Sequence, residues 1–231
     1  MTETRHLRLF VKGNADIADA ALSSADGGAK LDRGVSEMAA ASHPGYTIST
    51  TVETSAGFAA LRQELEDGTS ALLVDPPDIL VLSVADDVRS LAMRAANPEE
   101  AVQAVRADLV AIVDMVKASV GAHILVANAS TVDPDDATHN YHGISPDPLP
   151  LQAHRLAHML VKVSHEEGIS IIDVDRLIAE IGADGNVQAA MSYSPRACGV
   201  IAGEIVRVLE DYGFFDERML VAQVGAKGGS R

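Results

Sequence analysis

Pro76-Pro77-Asp78-Ile79-Leu80-Val81-Leu82-Ser83-Val84 is the stretch that decides the fold of this chain. Two prolines and an aspartate end whatever precedes them, and the run that follows is apolar almost throughout. A strand with one wet face alternates apolar and polar residues. A continuous apolar run instead marks a strand covered on both faces, the habit of parallel sheets sheathed by helices.

The neighbouring segments agree. Residues 7–11 read as a first strand, followed by a turn at Lys12, Gly13 and Asn14, and residues 46–52 as a second. Asp26-Gly27-Gly28 marks a loop between them, and residues 57–65 form a helical pattern with Phe58, Leu61 and Leu65 on one side. Downstream, Pro98-Glu99-Glu100 opens the clearest helix, proline and acids both suiting a first turn. Val102, Val105, Leu109, Ile112, Val113 and Val116 supply its apolar face. Residues 123–127 are the next strand, 151–163 a helix, 169–174 a strand and 175–181 a short helix; Pro195 opens a last long helix. Strands and helices alternate, which predicts an α/β fold: a three-layer α/β/α sandwich with a five-stranded parallel sheet, flavodoxin-like in layout. Residues 1–224 form one domain on this reading, and the Gly-rich tail 225–231 frays.

Composition narrows the function. The 231 residues are 47% apolar and 22% charged, with 3% aromatics and no Trp, so Ala, Val, Leu and Ile must fill the core. A formal charge of −15 argues against nucleic acid and against anionic membranes, both of which need clustered positive charge. Cys198 is the only cysteine, so no intrachain disulfide forms. Residues 1–11 carry Glu3, Arg5 and Arg8 and lack the apolar core of a signal peptide, and no apolar run has the length of a membrane span. A cytoplasmic protein is the expectation.

In a doubly wound sheet, ligands bind beyond the carboxyl ends of the strands, near the switch in strand order. That rule selects residues 12–16, residues 85–88, residues 128–142 and the turn 191–195. The candidate pocket is therefore Lys12, Gly13, Asn14, Ala15, Asp16, Asp86, Asp87, Asn128, Ser192, Tyr193 and Ser194.

Those segments carry a resemblance to the SGNH/GDSL hydrolases over nearly the whole chain. Phe10-Val11-Lys12-Gly13-Asn14-Ala15 looks like the strand entering that family's Gly-Asp-Ser turn. The run from Pro77 to Asp87 looks like the strand leading to its Gly-x-Asn-Asp block. Residues 124–132 with Pro134 are similar to the strand that follows, and Ser194-Pro195 with Gly199, Ile201 and Ala202 to the closing His-Pro block. The resemblance implies an SGNH-type architecture and an ancestral substrate class of esters or acylated small molecules.

The departures are as informative. Ala15 stands where the family has its nucleophilic serine, Asp87 where it has the oxyanion-binding asparagine, and Ser194 (or Ser192, in a register slipped by two) where it has histidine, with Met191 at the acid three residues earlier in the first register. The glycine of the family's second block has no clear counterpart between Thr50 and Gly57. Acyl transfer needs a hydroxyl, a base to take its proton and donors aimed at the oxyanion. The ordinary triad is thus unavailable. Two functions follow: a non-hydrolytic binding or accessory protein for acyl- or ester-type small molecules, or an esterase, acyl or glycan-modifying hydrolase with a rebuilt site using Asp16, Asp87, Ser194 or the His-bearing loop.

Each of these residues also has a plainer reading. Asn14 and Asp16 suit helix caps, leaving Asp19 near a positive helix end. Lys12 either holds an anion or snorkels at the sheet end. Asp86 beside Asp87 needs a neutralising partner such as Arg89 or a helix start. Asp133, Asp135, Asp136, His139 and His142 resemble a ligand set but lack a rigid frame, so a polar lid is the simpler reading. His154 and His158 are spaced for zinc without the intervening Glu of a zincin, since Arg155 follows His154. Cys198 fits the core. We expect no cofactor and no metal; the partner is a small molecule, and a homodimer is the default from oligomer statistics.

Overall fold

The structure, a computed structural model, describes residues 4–14, 16–22, 34–94, 97–132, 149–189 and 191–216. Strand β1 (Arg5–Lys12) leads through helices α1 (Ala18–Ala21) and α2 (Val35–Ser42) to β2 (Tyr46–Glu53). Helices α3 (Phe58–Glu66) and α4 (Ala71–Val74) precede β3 (Ile79–Ser83), and α5 (Ala85–Arg94) and α6 (Pro98–Ser119) precede β4 (His123–Ala127). Then come α7 (Leu149–Glu167), β5 (Ser170–Ile172), α8 (Val174–Ile181), a hairpin of β6 (Val187–Ala189) and β7 (Ser192–Tyr193), and α9 (Pro195–Asp211).

Strands β1 to β5 form one parallel sheet in the order β2-β1-β3-β4-β5. This is the expected flavodoxin-like order, with the switch between β1 and β3. Every residue of β3 is buried, as its continuous apolar run required. Alternation along the strands divides the core in two. Leu9, Val11, Ile79, Val81, Leu125 and Ile172 pack against α1, α2, α8 and α9. Phe10, Leu80, Leu82, Ile124 and Val126 face the other way, onto α3, α5, α6 and α7. Cys198 is fully buried in the first of these layers.

Most differences from expectation lie at element ends. The strand read over residues 169–174 is shorter, because Asp173 turns to cap α8, its Oδ1 accepting from Arg176 N at 3.2 Å. Helix α7 starts earlier, with Pro150 in its first turn. Helix α2 and the antiparallel β6–β7 hairpin are not apparent in the sequence pattern. The loop read at Asp26-Gly27-Gly28, Ala15, the Asp/His loop at 133–142 and the tail 225–231 lie outside the described residues.

Candidate functional site

The carboxyl ends of β1 and β3 lie side by side, with Lys12 paired to Leu82 across the ladder. Asp16, just past β1, is 4% exposed and accepts a hydrogen bond from the Ser83 hydroxyl at the end of β3. Asn14 N donates to the same carboxyl at 3.2 Å. Burial pushes the Asp16 pKa up to about 6, against the opposing pull of the Ser83 bond. The Ser83 oxygen also accepts from Ala85 N at 3.0 Å, which ties it to the start of α5.

Asp86 and Asp87, adjacent in sequence, point to different partners. Asp86 accepts from Asn14 Nδ2 at 2.5 Å and pairs with Arg89 at 3.0 Å. Asn14 Nδ2 additionally reaches Ser55 O at 3.1 Å. Asp87 is 7% exposed and accepts from Phe58 N, at the head of α3, at 3.1 and 3.3 Å. Burial pushes its pKa up to about 7, and the charges of Asp86 and Asp108 add to that. Gly57 makes the contact possible. Its φ is 92°, and a Cβ there would sit 3.0 Å from Asp87 Oδ1. Gly13 has a similar constraint, since a Cβ at that turn would collide with Ile17 Cγ2.

Several plain readings need correction here. Asn14 and Asp16 do not cap α1 with their side chains; the N-cap is Ile17, and only Asp19 occupies the first turn as expected. Lys12 neither snorkels nor awaits an anion. It is 7% exposed and its Nζ bonds Glu53 at 3.1 Å and Glu64 at 2.9 Å. Desolvation opposes its charge, yet the two carboxylates outweigh that and hold its pKa above the ordinary lysine value.

The other predicted residues lie on the β4 side. Asn128 is a brace: its Nδ2 donates to Asp173 Oδ1 at 2.8 Å, and its Oδ1 accepts from Asp175 N at 3.2 Å. Tyr193 is buried, its hydroxyl accepting from Ser130 N at 3.4 Å. Burial drives its pKa upward and the Asp16 charge adds to this, so the phenol lies within electrostatic reach of the Asp16 carboxyl. Ser192 lies in β7, half-buried. Ser194 is the N-cap of α9. Its Oγ accepts from Ala197 N at 3.2 Å and donates to Asn186 Oδ1 at 2.8 Å. Replacing Ser194 by alanine is expected to cost about 1–2 kcal/mol, read as a drop of a few degrees in Tm. The resonances of Asn14 and Asp16 should not move.

The structure thus gathers Asn14, Asp16, Asp86 and Asp87, and pairs Lys12 with Glu53 and Glu64, Asn128 with Asp173 and Asp175, and Ser194 with Asn186 and Ala197. It also adds Ser83, Ser55 and Gly57. Ser83 carried a signal, as the one polar residue inside an apolar strand, and Gly57 one as the start of a helical pattern; Ser55 carried none. Among the described residues no three His, Cys, Asp or Glu side chains are grouped as metal ligands. His154 and His158 are exposed neighbours, ring centroids 4.7 Å apart. A groove of about 600 Å³ lies between α6 and α7, where Arg106 and Glu166 pair at 2.5 Å.

No protein-family model matches the sequence, and no curated protein matches it. Solved structures do. An acetylxylan esterase from Geobacillus stearothermophilus superposes with a TM-score of 0.62 at 15% identity, covering 90% of this chain and 95% of its own. A lipolytic protein of the G-D-S-L family from Veillonella parvula gives 0.59 at 14%, covering 88% and 98%. A lipase/acylhydrolase from Enterococcus faecalis gives 0.60 at 14%, covering 89% and 96%. Catalytic mutants of the Geobacillus esterase replace a serine, an aspartate and a histidine by alanine. The chain therefore has the SGNH/GDSL-hydrolase-like fold.

Proposed function

We propose that this chain uses its SGNH-hydrolase-like fold to bind a small, neutral acyl- or ester-type molecule at the carboxyl edge of β1 and β3 without hydrolysing it, as a binding or accessory protein. One observation carries the reading. Ser83, at that edge, gives its hydroxyl proton to buried Asp16, and no described histidine bonds Asp16 or Ser83 or shifts Asp16 or Asp87. Three carboxyl groups there would repel a developing oxyanion rather than stabilise it. The same acidity disfavours anionic ligands and favours neutral ones rich in O–H or N–H donors.

A second reading, a rebuilt ester hydrolase, rests on the Asp16–Ser83 pair. Asp16, with a pKa of about 6, would take the Ser83 proton as the oxygen attacks an acyl carbon, and would return it to the departing alcohol as the ester C–O bond breaks. Against it stand the 1% exposure of Ser83 and the second use of its oxygen by Ala85 N.

Incubation with p-nitrophenyl acetate and with a fluorophosphonate probe tests both. The binding reading expects ester turnover at the buffer background, unchanged by Asp16→Ala or Asp87→Ala, and no labelled serine. Turnover that disappears in Asp16→Ala and Ser83→Ala, with a label on Ser83, establishes the hydrolase instead.

A further inference from the structure

Helices α6 and α7 pack side by side, each leading into the next strand of the sheet, and the groove of about 600 Å³ lies between them. Its buried lining is apolar, Val102 from α6 and Met159 from α7. Its charged lining includes three cations, Arg106 on α6 and Arg155 and Lys162 on α7. Arg155, Met159, Lys162 and Glu166 recur at intervals of three or four, so they share one face of the helix. Two turns of rise separate Arg155 from Lys162 by about 10 Å along the axis.

This charge is out of keeping with the chain. The sequence has 33 acidic and 18 basic residues, yet three basic and two acidic side chains, Glu99 and Glu166, line the groove. Elsewhere the basic groups go to carboxylates: Lys12, Arg62, Arg89, Lys117, Arg176 and Arg207 each make such a pair. Lys162 is exposed and makes no ion pair or hydrogen bond among the described residues. The pair of Arg106 with Glu166 is open to solvent, and such pairs are weak enough to yield to a better anion.

Three cations around two apolar side chains suit a compact, multiply charged group on an apolar body. A phosphate monoester carries nearly two charges and three acceptor oxygens on one phosphorus, enough to engage an arginine fork and an ammonium together. A carboxylate has one charge and two oxygens, which one arginine fork already occupies. The thioether of Met159 is polarisable and suits an aromatic ring. The volume is that of a small-molecule site.

We propose that the α6–α7 groove binds a small phosphate monoester with an apolar, aromatic body. The site is separate from the carboxyl edge of β1 and β3, since none of Asn14, Asp16, Ser83, Asp86 and Asp87 lines it. It does not depend on the binding function inferred for that edge.

The test titrates full-length ¹⁵N-labelled protein with phenyl phosphate, inorganic phosphate and benzoate. Two side-chain amides report the location, Gln103 in the groove and Asn14 at the edge. The expected result is a shift at Gln103 with Asn14 unmoved, and affinity for phenyl phosphate about tenfold above that for either other probe. That affinity should fall as salt is raised. Lys162→Glu should weaken phenyl phosphate at least about tenfold and leave Tm unchanged, because the side chain is exposed. Inorganic phosphate or benzoate binding as tightly as phenyl phosphate overturns the ligand class. A shift at Asn14 instead of Gln103, no shift with phenyl phosphate at either amide, or unchanged affinity in Lys162→Glu overturns the site. A dimer seen by sedimentation and broken by Lys162→Glu assigns the groove to a second, acidic copy of the chain and overturns the proposal as well.

Discussion

Asp87→Asn raises the thermal midpoint at about pH 8 by roughly 6–12 °C, and most of that gain disappears near pH 4. The reason is a buried carboxyl whose folded-state pKa is about 7 against 3.8 for the free group. Below the lower value both folded and unfolded chains hold the proton, and the folded state suffers no penalty. Between the two values the folded chain binds a proton that the unfolded chain has released, so stability falls as pH rises. Above the upper value both are ionised, and the cost of a buried charge is present in full. One pKa unit corresponds to about 1.4 kcal/mol, which makes the penalty at alkaline pH on the order of 3 kcal/mol after allowing for imperfect hydrogen bonding by asparagine. Asparagine keeps an acceptor for Phe58 N and carries no charge. Asp16 is raised in the same direction, to about 6, so wild-type protein should itself lose stability between about pH 4 and pH 7. Thermal melts of wild type and variant across that range decide the matter. A gain for Asp87→Asn that is independent of pH would mean that burial of its charge is not the cause.

Gly57→Ala is expected to lower Tm by roughly 5–12 °C, an effect out of proportion to one methyl group. Two costs combine. At φ 92° and ψ 172° the backbone occupies a region that essentially only glycine visits, worth about 1–3 kcal/mol. The added Cβ would also press on Asp87 Oδ1 at 3.0 Å, and that oxygen is tethered by Phe58 N. Relief requires Asp87 to withdraw from the head of α3, leaving Phe58 N without its acceptor. Denaturation melts of the single variants and the Gly57→Ala/Asp87→Asn double variant measure the coupling. The two effects should fail to add, since the substitutions meet at one contact. Additive changes would show that the strain lies in the backbone alone.

Much of the architecture was written in local chemistry. The unbroken run from Ile79 to Leu82 demanded cover on both faces, and the structure buries it on both. Pro98 at the head of α6, with Asn97 capping Glu100 N, and Pro195 at the head of α9, behind Ser194, announced two helices at their true starts. The four loop regions beyond the strand ends followed from the parallel sheet before any side chain was placed. The SGNH likeness, read from block order, agrees with solved structures that share only 14–15% of their residues with this chain. The departures from the family's residues are a separate matter, legible only as substitutions.

Sequence alone determined the five strands of the sheet, the longer helices and the order in which they alternate, because these depend on near neighbours and on periods of two and 3.6 residues. Pairing across the sheet edge belonged to the tertiary structure. Lys12 finds Glu53 and Glu64, Asp16 finds Ser83, and Asp87 finds the amide beside Gly57, each across a separation of 29 residues or more. A carboxyl has the same intrinsic acidity wherever it lies in the chain. Its charge state here is set by how much water the folded neighbours exclude, and only the assembled sheet and helices fix that.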